Sequence, residues 1–272
     1  MEDVTLHSIV DALAANPCVD AVLLAGSRTN DTADELSDTD LYVYGPAAPH
    51  VSARRGAAER FADEMEIDNQ FWETEDLWIA RDGGEKVELM YRTFAFVRDE
   101  LQRIYDRHEA RVGYSTCVAA NFLSSDILFD RDGRFSELQR DFSRPYPDEL
   151  VQHIIDRNFP LLGRSFSSYT HQILAAVFRG DLISVNHRIA AYVASYFDIL
   201  FALIRTLHPG EKKMMKILSR SGSDPLPGLA EDLHELFSLG AAGDAAIEHI
   251  LRSLTHRLRD RIIETGFRDL PD

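Results

Sequence analysis

Positive charge is what this 272-residue chain has least of. It carries 29 Lys and Arg against 45 Asp and Glu, a formal net charge of −16. Broad non-specific contact with nucleic acid needs a basic face and is therefore disfavoured, whereas a cationic small substrate would be well suited. Cysteine is nearly missing. Cys18 and Cys117 lie in apolar surroundings, show no ligand spacing, and read as buried free thiols in a reducing cytosol. No apolar run reaches the roughly 18 residues that cross a bilayer. The opening MEDVTLHSIV has no leader architecture, so the expected location is cytoplasmic. Repeats and low-complexity tracts are also lacking.

What is present divides the chain in two. Residues 6–15 carry apolar positions at helical spacing and stop before Asn16-Pro17. Val19 to Ala25 is a nearly continuous apolar run, the pattern of a strand buried on both faces. Leu41 to Tyr44 is a second strand, closed by Gly45-Pro46, and residues 51–66 read as an exposed amphipathic helix. FWETEDLWIA and KVELMYR are β-rich, and RDGGE between them supplies a glycine pair for a hairpin turn. Helices are expected at 93–108, 117–124 and 135–142, with a short strand in DILFD. After SRPYPDE (143–149) strand signals vanish, and six helical segments follow between 149 and 264. The expected fold class is α+β: a mixed sheet with flanking helices over 1–144, then an all-helical bundle over 145–272.

The stretch AGSRTNDTADELSDTDLYVYG, residues 25–45, is chemical rather than structural in character. Asp38 and Asp40 stand at the mouth of a strand, where alternation puts both on one face with Cα atoms about 6.5–7 Å apart. Two carboxylates so close repel unless a cation bridges them, and hard oxygen ligands favour Mg²⁺. Gly26 allows close backbone approach, the Ser27 hydroxyl with nearby N–H groups can hold a phosphate, and Arg28 adds fixed positive charge. Glu88 in KVELMYR faces away from its neighbours Val87 and Leu89. If its strand lies beside the one carrying Asp38 and Asp40, three carboxylates converge, and two Mg²⁺ ions there could hold a triphosphate and activate a hydroxyl. Glu85 and Asp82 lie in the turn and are set aside.

Gly-Ser, ten residues, Asp-x-Asp and a later strand Glu together resemble the DNA polymerase β-like nucleotidyltransferase superfamily. Its small bacterial members, the aminoglycoside and lincosamide nucleotidyltransferases, are the nearer likeness. The motif covers residues 23–44 and 86–91. One departure is Asp31, where relatives often have a loop glycine; Asp tolerates left-handed backbone better than most residues. The resemblance implies that Asp38 and Asp40 bind both metals, that Glu88 binds one, and that Glu88 can serve as general base. It implies ATP or another nucleoside triphosphate as donor, in-line attack on the α-phosphorus, and pyrophosphate release. It also implies a lysine reaching the triphosphate from the helical half, for which Lys212 and Lys213 are the candidates.

Elsewhere in that half, Asp198 interrupts an apolar stretch as a surface residue, a buried carboxylate or a group recognising a cationic substrate. His153, His171, His187 and His208 read as structural, and Tyr169, Tyr192 and Tyr196 as core aromatics. The expected enzyme moves a nucleoside monophosphate, AMP above others, to a hydroxyl of a small molecule held between the halves, an antibiotic being one such acceptor. Neither nucleic acid nor membrane is expected as a partner. The alternatives are modification of a partner protein, as antitoxin-type relatives do, and a non-catalytic nucleotide-binding protein.

Overall fold

The computed structural model describes residues 3–26, 38–81, 83–220 and 226–268. The chain forms two compact units, Met1–Gln102 with Val118–Arg144, and Arg103–Cys117 with Pro145–Asp272. Residues 103–117, grouped by the sequence pattern with the N-terminal half, thus count with the second unit. The physical reason is a set of polar bonds. Arg103 donates to the Ser115 carbonyl at 2.6 Å, the Gly113 N–H to Asn158 at 2.9 Å, and the Ser115 N–H to Asp198 at 2.9 Å.

The first unit is built on helix α1 (Asp3–Ala14), strands β1 (Ala21–Ala25) and β2 (Thr39–Tyr44), helix α2 (Val51–Phe61) and strands β3 (Ala62–Asn69), β4 (Glu75–Ala80) and β5 (Lys86–Arg92). Helices α3 (Phe94–Tyr105) and α4 (Cys117–Ser124), strand β6 (Asp126–Asp130) and helix α5 (Arg134–Phe142) follow. The sheet order is β3-β4-β5-β2-β1-β6. Only the β2–β5 pair is parallel among the pairings of the described strands. Alternation then sorts the side chains. One face presents Val22, Leu41, Val43, Trp78, Val87 and Leu89 to Ile9, Val10 and Leu13 of α1 and Ala58 of α2. Burial of each such large side chain contributes about 1.5–3 kcal/mol. The opposite face carries an aromatic cluster at one end, where Tyr44 meets Phe122 and Phe135. At its other end it carries charge.

Two expectations are corrected here. The helix read over 51–66 ends at Phe61, and the chain turns at once into β3. Met65 and Ile67 pack on the core side while Asp63, Glu64 and Glu66 stay outside. A period of two with acids on the outer face suits a sheet edge, because repelling charge blocks further pairing. Cys18 is exposed and Cys117 half-buried, so neither is the buried thiol expected from its apolar neighbours.

The second unit consists of α6 (Asp148–Phe159), a π-helical turn (Pro160–Arg164), α7 (Tyr169–Arg179), α8 (Leu182–Leu203), α9 (Met214–Arg220), α10 (Leu229–Ala242) and α11 (Ile247–Glu264). Helix α8 is buried on all sides from Ser195 to Leu203, the mark of a central helix. Asp198 lies within it, 1% exposed, so it is a buried carboxylate. It accepts from the Ser115 N–H and, at 2.6 Å, from the Ser115 hydroxyl. Burial pushes its carboxyl up to about 6 even though the Ser115 bonds favour the charged form. Tyr192 and Tyr196 stack in the core. Among the described residues no helix is long and apolar enough to cross a membrane.

Candidate active site

Strand β1 ends at Ala25, which pairs with Asp40 of β2. The next residue, Gly26, turns the chain with φ +78°, a left-handed conformation that costs glycine little. A Cβ there would stand 1.9 Å from Asp40 Oδ2. Glycine is therefore required twice, for its dihedral angle and because the Asp40 carboxylate lies directly against it.

The parallel β2–β5 ladder sets Asp40 opposite Glu88. Partners on one rung share a face, so both carboxylates stand on the charged face of the sheet. Two residues before Glu88, Lys86 stands on that face too. Its Nζ lies 3.4 Å from Asp38 Oδ2 and donates a short hydrogen bond to Glu88 Oε1. An ammonium thus bridges Asp38 and Glu88. The bond to Glu88 raises Lys86 above the ordinary lysine value, against a smaller lowering by burial. Across the β4–β5 ladder, Leu77 faces Glu88 and Glu75 faces Met90. Burial first, and the negative charge of Glu88 second, raise the Glu75 carboxyl. Asp38, Asp40, Glu75, Glu88 and Lys86 thus stand on one face of the sheet.

Further polar contacts tie the sheet next to this cluster. Thr39 donates to Glu85 at 2.5 Å, tying the start of β2 to the start of β5. Further along, Arg92 lies 4.2 Å over the Tyr42 ring and binds both Glu73 oxygens at 2.6 and 2.7 Å. Its charge is committed to that pair.

The structure therefore brings together Gly26, Asp38, Asp40 and Glu88. Ser27 and Arg28 lie outside the described residues, as do Asp31 and Asp82. Lys212 and Lys213 are exposed in the second unit, in the turn ahead of α9, and Lys213 has φ +56°. Sequence reasoning missed Lys86 and Glu75. The signal for Lys86 was available, since spacing of two in KVELMYR puts it on the face of Glu88. Glu75 depended on strand register, which the sequence does not contain.

Among the described residues no group of three or more His, Cys, Asp or Glu is gathered to hold a metal ion; Lys86 spans two of the acids instead. Asp38, Asp40 and Glu88 offer hard carboxylate oxygens, the donor type divalent cations take, and the Lys86 ammonium lies against two of them.

Residues 115–214 match a family described as "Domain of unknown function (DUF4037)". A search of curated proteins finds no match. Among solved structures, the chain is similar to a nucleotidyltransferase-like protein from Exiguobacterium sibiricum 255-15, with 14% identity over 96% of this chain and 76% of that one, and a TM-score of 0.45. It is also similar to a STING-associated CdnE c-di-GMP synthase from Capnocytophaga granulosa, with 13% identity over 97% of this chain and 82% of that one, and a TM-score of 0.27. Neither of the two is described as an aminoglycoside or lincosamide enzyme.

Proposed function

We propose that this chain is a nucleotidyltransferase that transfers AMP from ATP to a hydroxyl of a small-molecule acceptor. The observation that carries the reading is the shared rung of Asp40 and Glu88, with Asp38 and Gly26 beside it. In the reaction, an acceptor oxygen forms a bond to the α-phosphorus of ATP. The bond from that phosphorus to the oxygen bridging α and β breaks, and pyrophosphate leaves. Glu88 takes the proton of the attacking hydroxyl, which requires its carboxylate to be released from Lys86. Asp38, Asp40 and Glu88 would hold two Mg²⁺ ions. When bound, these supply charge neutralisation on the phosphates and acidify the acceptor hydroxyl. Gly26 keeps Asp40 against the backbone, and Ser27 and Arg28 bind the triphosphate. The reading implies the ATP-rich cytoplasm as its compartment, and antibiotics of the aminoglycoside and lincosamide type as one acceptor class.

The test is release of pyrophosphate with Mg²⁺, each of the four nucleoside triphosphates and a panel of hydroxylated acceptors, with products followed by mass shift. Wild type should yield an acceptor heavier by one nucleoside monophosphate. Asp40→Asn and Glu88→Gln should each lower the rate by about 10³-fold or more, the scale of losing a group that acts on transition-state charge. Full activity in both variants would remove the proposal.

A further inference from the structure

Large apolar side chains scattered singly over a surface need no explanation. Phe71 and Trp72 differ, because they are consecutive and nearly bare, 80% and 91% exposed, at the tip of the hairpin between β3 and β4. Each keeps in water a large apolar area that contact with a partner would remove. We infer that this tip, with the outer strand β3 beside it, is a docking surface for another protein that presents Lys or Arg around an apolar centre. The docking is independent of the nucleotidyl transfer proposed above.

The tip is held in shape by polar bonds on either side of the pair. The Phe71 N–H donates to Asn69 Oδ1 at 2.9 Å. The Gln70 side chain donates to Asp68 at 2.9 Å and accepts from the Thr74 hydroxyl at 3.2 Å. Beyond the pair, the Tyr91 N–H donates to the Thr74 carbonyl at 3.0 Å, and Glu73 is paired with Arg92. These bonds use backbone and polar side chains, and neither aromatic ring has a ring or cation contact of its own among the described residues. Two aromatic groups held outward on a fixed turn lose little freedom when a partner covers them.

Charge specifies the partner. Residues 62–80 hold seven acids and no Lys, Arg or His. Asp63 pairs with Arg81, Asp68 and Asp76 with Arg54, and Glu73 with Arg92. Glu64 and Glu66 are exposed and have no ion pair among the described residues. They stand on the outermost strand of the sheet, opposite Ile79 and Leu77 of β4. Partners on one rung share a face, so unpaired carboxylates border the half-buried Leu77 and Ile79. Nucleic acid and an anionic lipid surface would bring like charge to these acids. A second copy of the chain, at −16 overall, would set the same acids against themselves. A basic segment brings the opposite charge, while its apolar side chains and lysine stems can cover Phe71 and Trp72, the residue types that dominate protein interfaces.

The experiment uses the full chain and three synthetic peptides of equal length: alternating Lys and Leu, alternating Lys and Ser, and alternating Glu and Leu. Binding is read from the anisotropy of a dye on the peptide. Acrylamide quenching reports on Trp72, because Trp78 is 1% exposed and shielded. The Lys-Leu peptide should bind saturably and protect Trp72, and the other two should bind at least about tenfold more weakly. Phe71→Ser with Trp72→Ser leaves the net charge unchanged and should weaken the Lys-Leu peptide at least about tenfold, or about 1.4 kcal/mol. Glu64→Gln with Glu66→Gln should weaken it about threefold, and less as salt is raised. Should a double variant not fold, the three peptides and the quenching of wild type decide. Unaltered affinity in either folded variant, equal affinity for the Lys-Ser peptide, or undiminished quenching in the complex each overturns the inference. So does protection of Trp72 by phosphatidylcholine vesicles alone, which would make the tip a lipid contact. Dimerisation abolished by Trp72→Ser would make it a contact between copies and overturn the inference as well.

Discussion

Gly26 runs so close beneath Asp40 that a methyl group at position 26 would stand 1.9 Å from the carboxylate Oδ2. Gly26→Ala must therefore push Asp40 away and also hold φ +78° with a side chain, a strain of about 1–2 kcal/mol. The expected result is a protein that still folds, with a melting point a few degrees lower, while AMP transfer falls about 10²-fold, the effect of roughly 1 Å of displacement at a reacting group. Thermal melts and the pyrophosphate assay on one preparation test both halves. Normal transfer would mean that the position of Asp40 does not matter to the reaction.

Arg54 is the key cation of the first unit. It is 3% exposed and reaches Asp76, which is 0% exposed, at 2.7 Å, and Asp68 at 2.6 Å. Asp76 also accepts from the Tyr91 hydroxyl at 2.7 Å and the Asp68 N–H at 2.8 Å. Burial raises the Asp76 carboxyl while these bonds favour its charged form. Arg54→Met strands that carboxylate and should cost about 3–5 kcal/mol. Adding Asp76→Asn to Arg54→Met should recover part of the loss, since the stranded charge is then gone. Urea midpoints of the two single variants and the double variant measure this coupling.

The strands that form the candidate site were legible because their cues are local. The apolar run ending at Ala25, the Asp38-x-Asp40 mouth and the glycines before Lys86 each announce a strand or turn without reference to distant residues. The run Ala62–Asn69 was not, because its three apolar residues scattered among four acids and one Asn satisfy helical spacing as well as alternation. Only pairing with β4 decides between the two. Lys86 escaped for a different reason: attention to acids alone overlooks the cation that balances them. Asp198 could not be placed from sequence, since its partner Ser115 lies far away along the chain and bonds it from outside the helix.

In the second unit, two buried groups work against each other in acid. His208 is 0% exposed, with its ring 4.9 Å from both Tyr114 and Phe201, and burial lowers it to about 4 from 6.5. The unfolded chain therefore gains a proton first, and stability that is full above pH 6.5 is lost as pH falls toward 4, by about 3 kcal/mol in all. Asp198 has the opposite sign. Its folded value of about 6 against 3.8 makes the folded state the first to bind a proton, so stability rises as pH falls through 6, again by about 3 kcal/mol. Wild-type urea stability should thus change little between pH 6 and 4 on account of this pair. Asp198→Asn, which cannot titrate, should show the His208 loss openly, as a steeper decline over that window. Parallel curves for the two proteins would contradict this opposition.

Lys86 supplies the sharpest test of whether the carboxylate cluster is a cation site. In the described structure its ammonium bridges Asp38 and Glu88, so a divalent ion held by the same acids must displace it. Lys86→Met removes that competitor and leaves the acids to repel one another. Lys86 is 40% exposed, so solvent screening limits the cost to about 1 kcal/mol or less. The variant should then melt slightly below wild type without metal and gain more on addition of Mg²⁺, because a lower dissociation constant gives a larger linkage term at the same concentration. If Lys86 instead served the triphosphate, the response to Mg²⁺ alone would not change and nucleotide affinity would drop. Melting curves with Mg²⁺ alone and with Mg²⁺ and ATP separate the two. An equal Mg²⁺ shift in both proteins would mean that the ion and the ammonium do not share these oxygens, and the carboxylates would have to act without a metal between them.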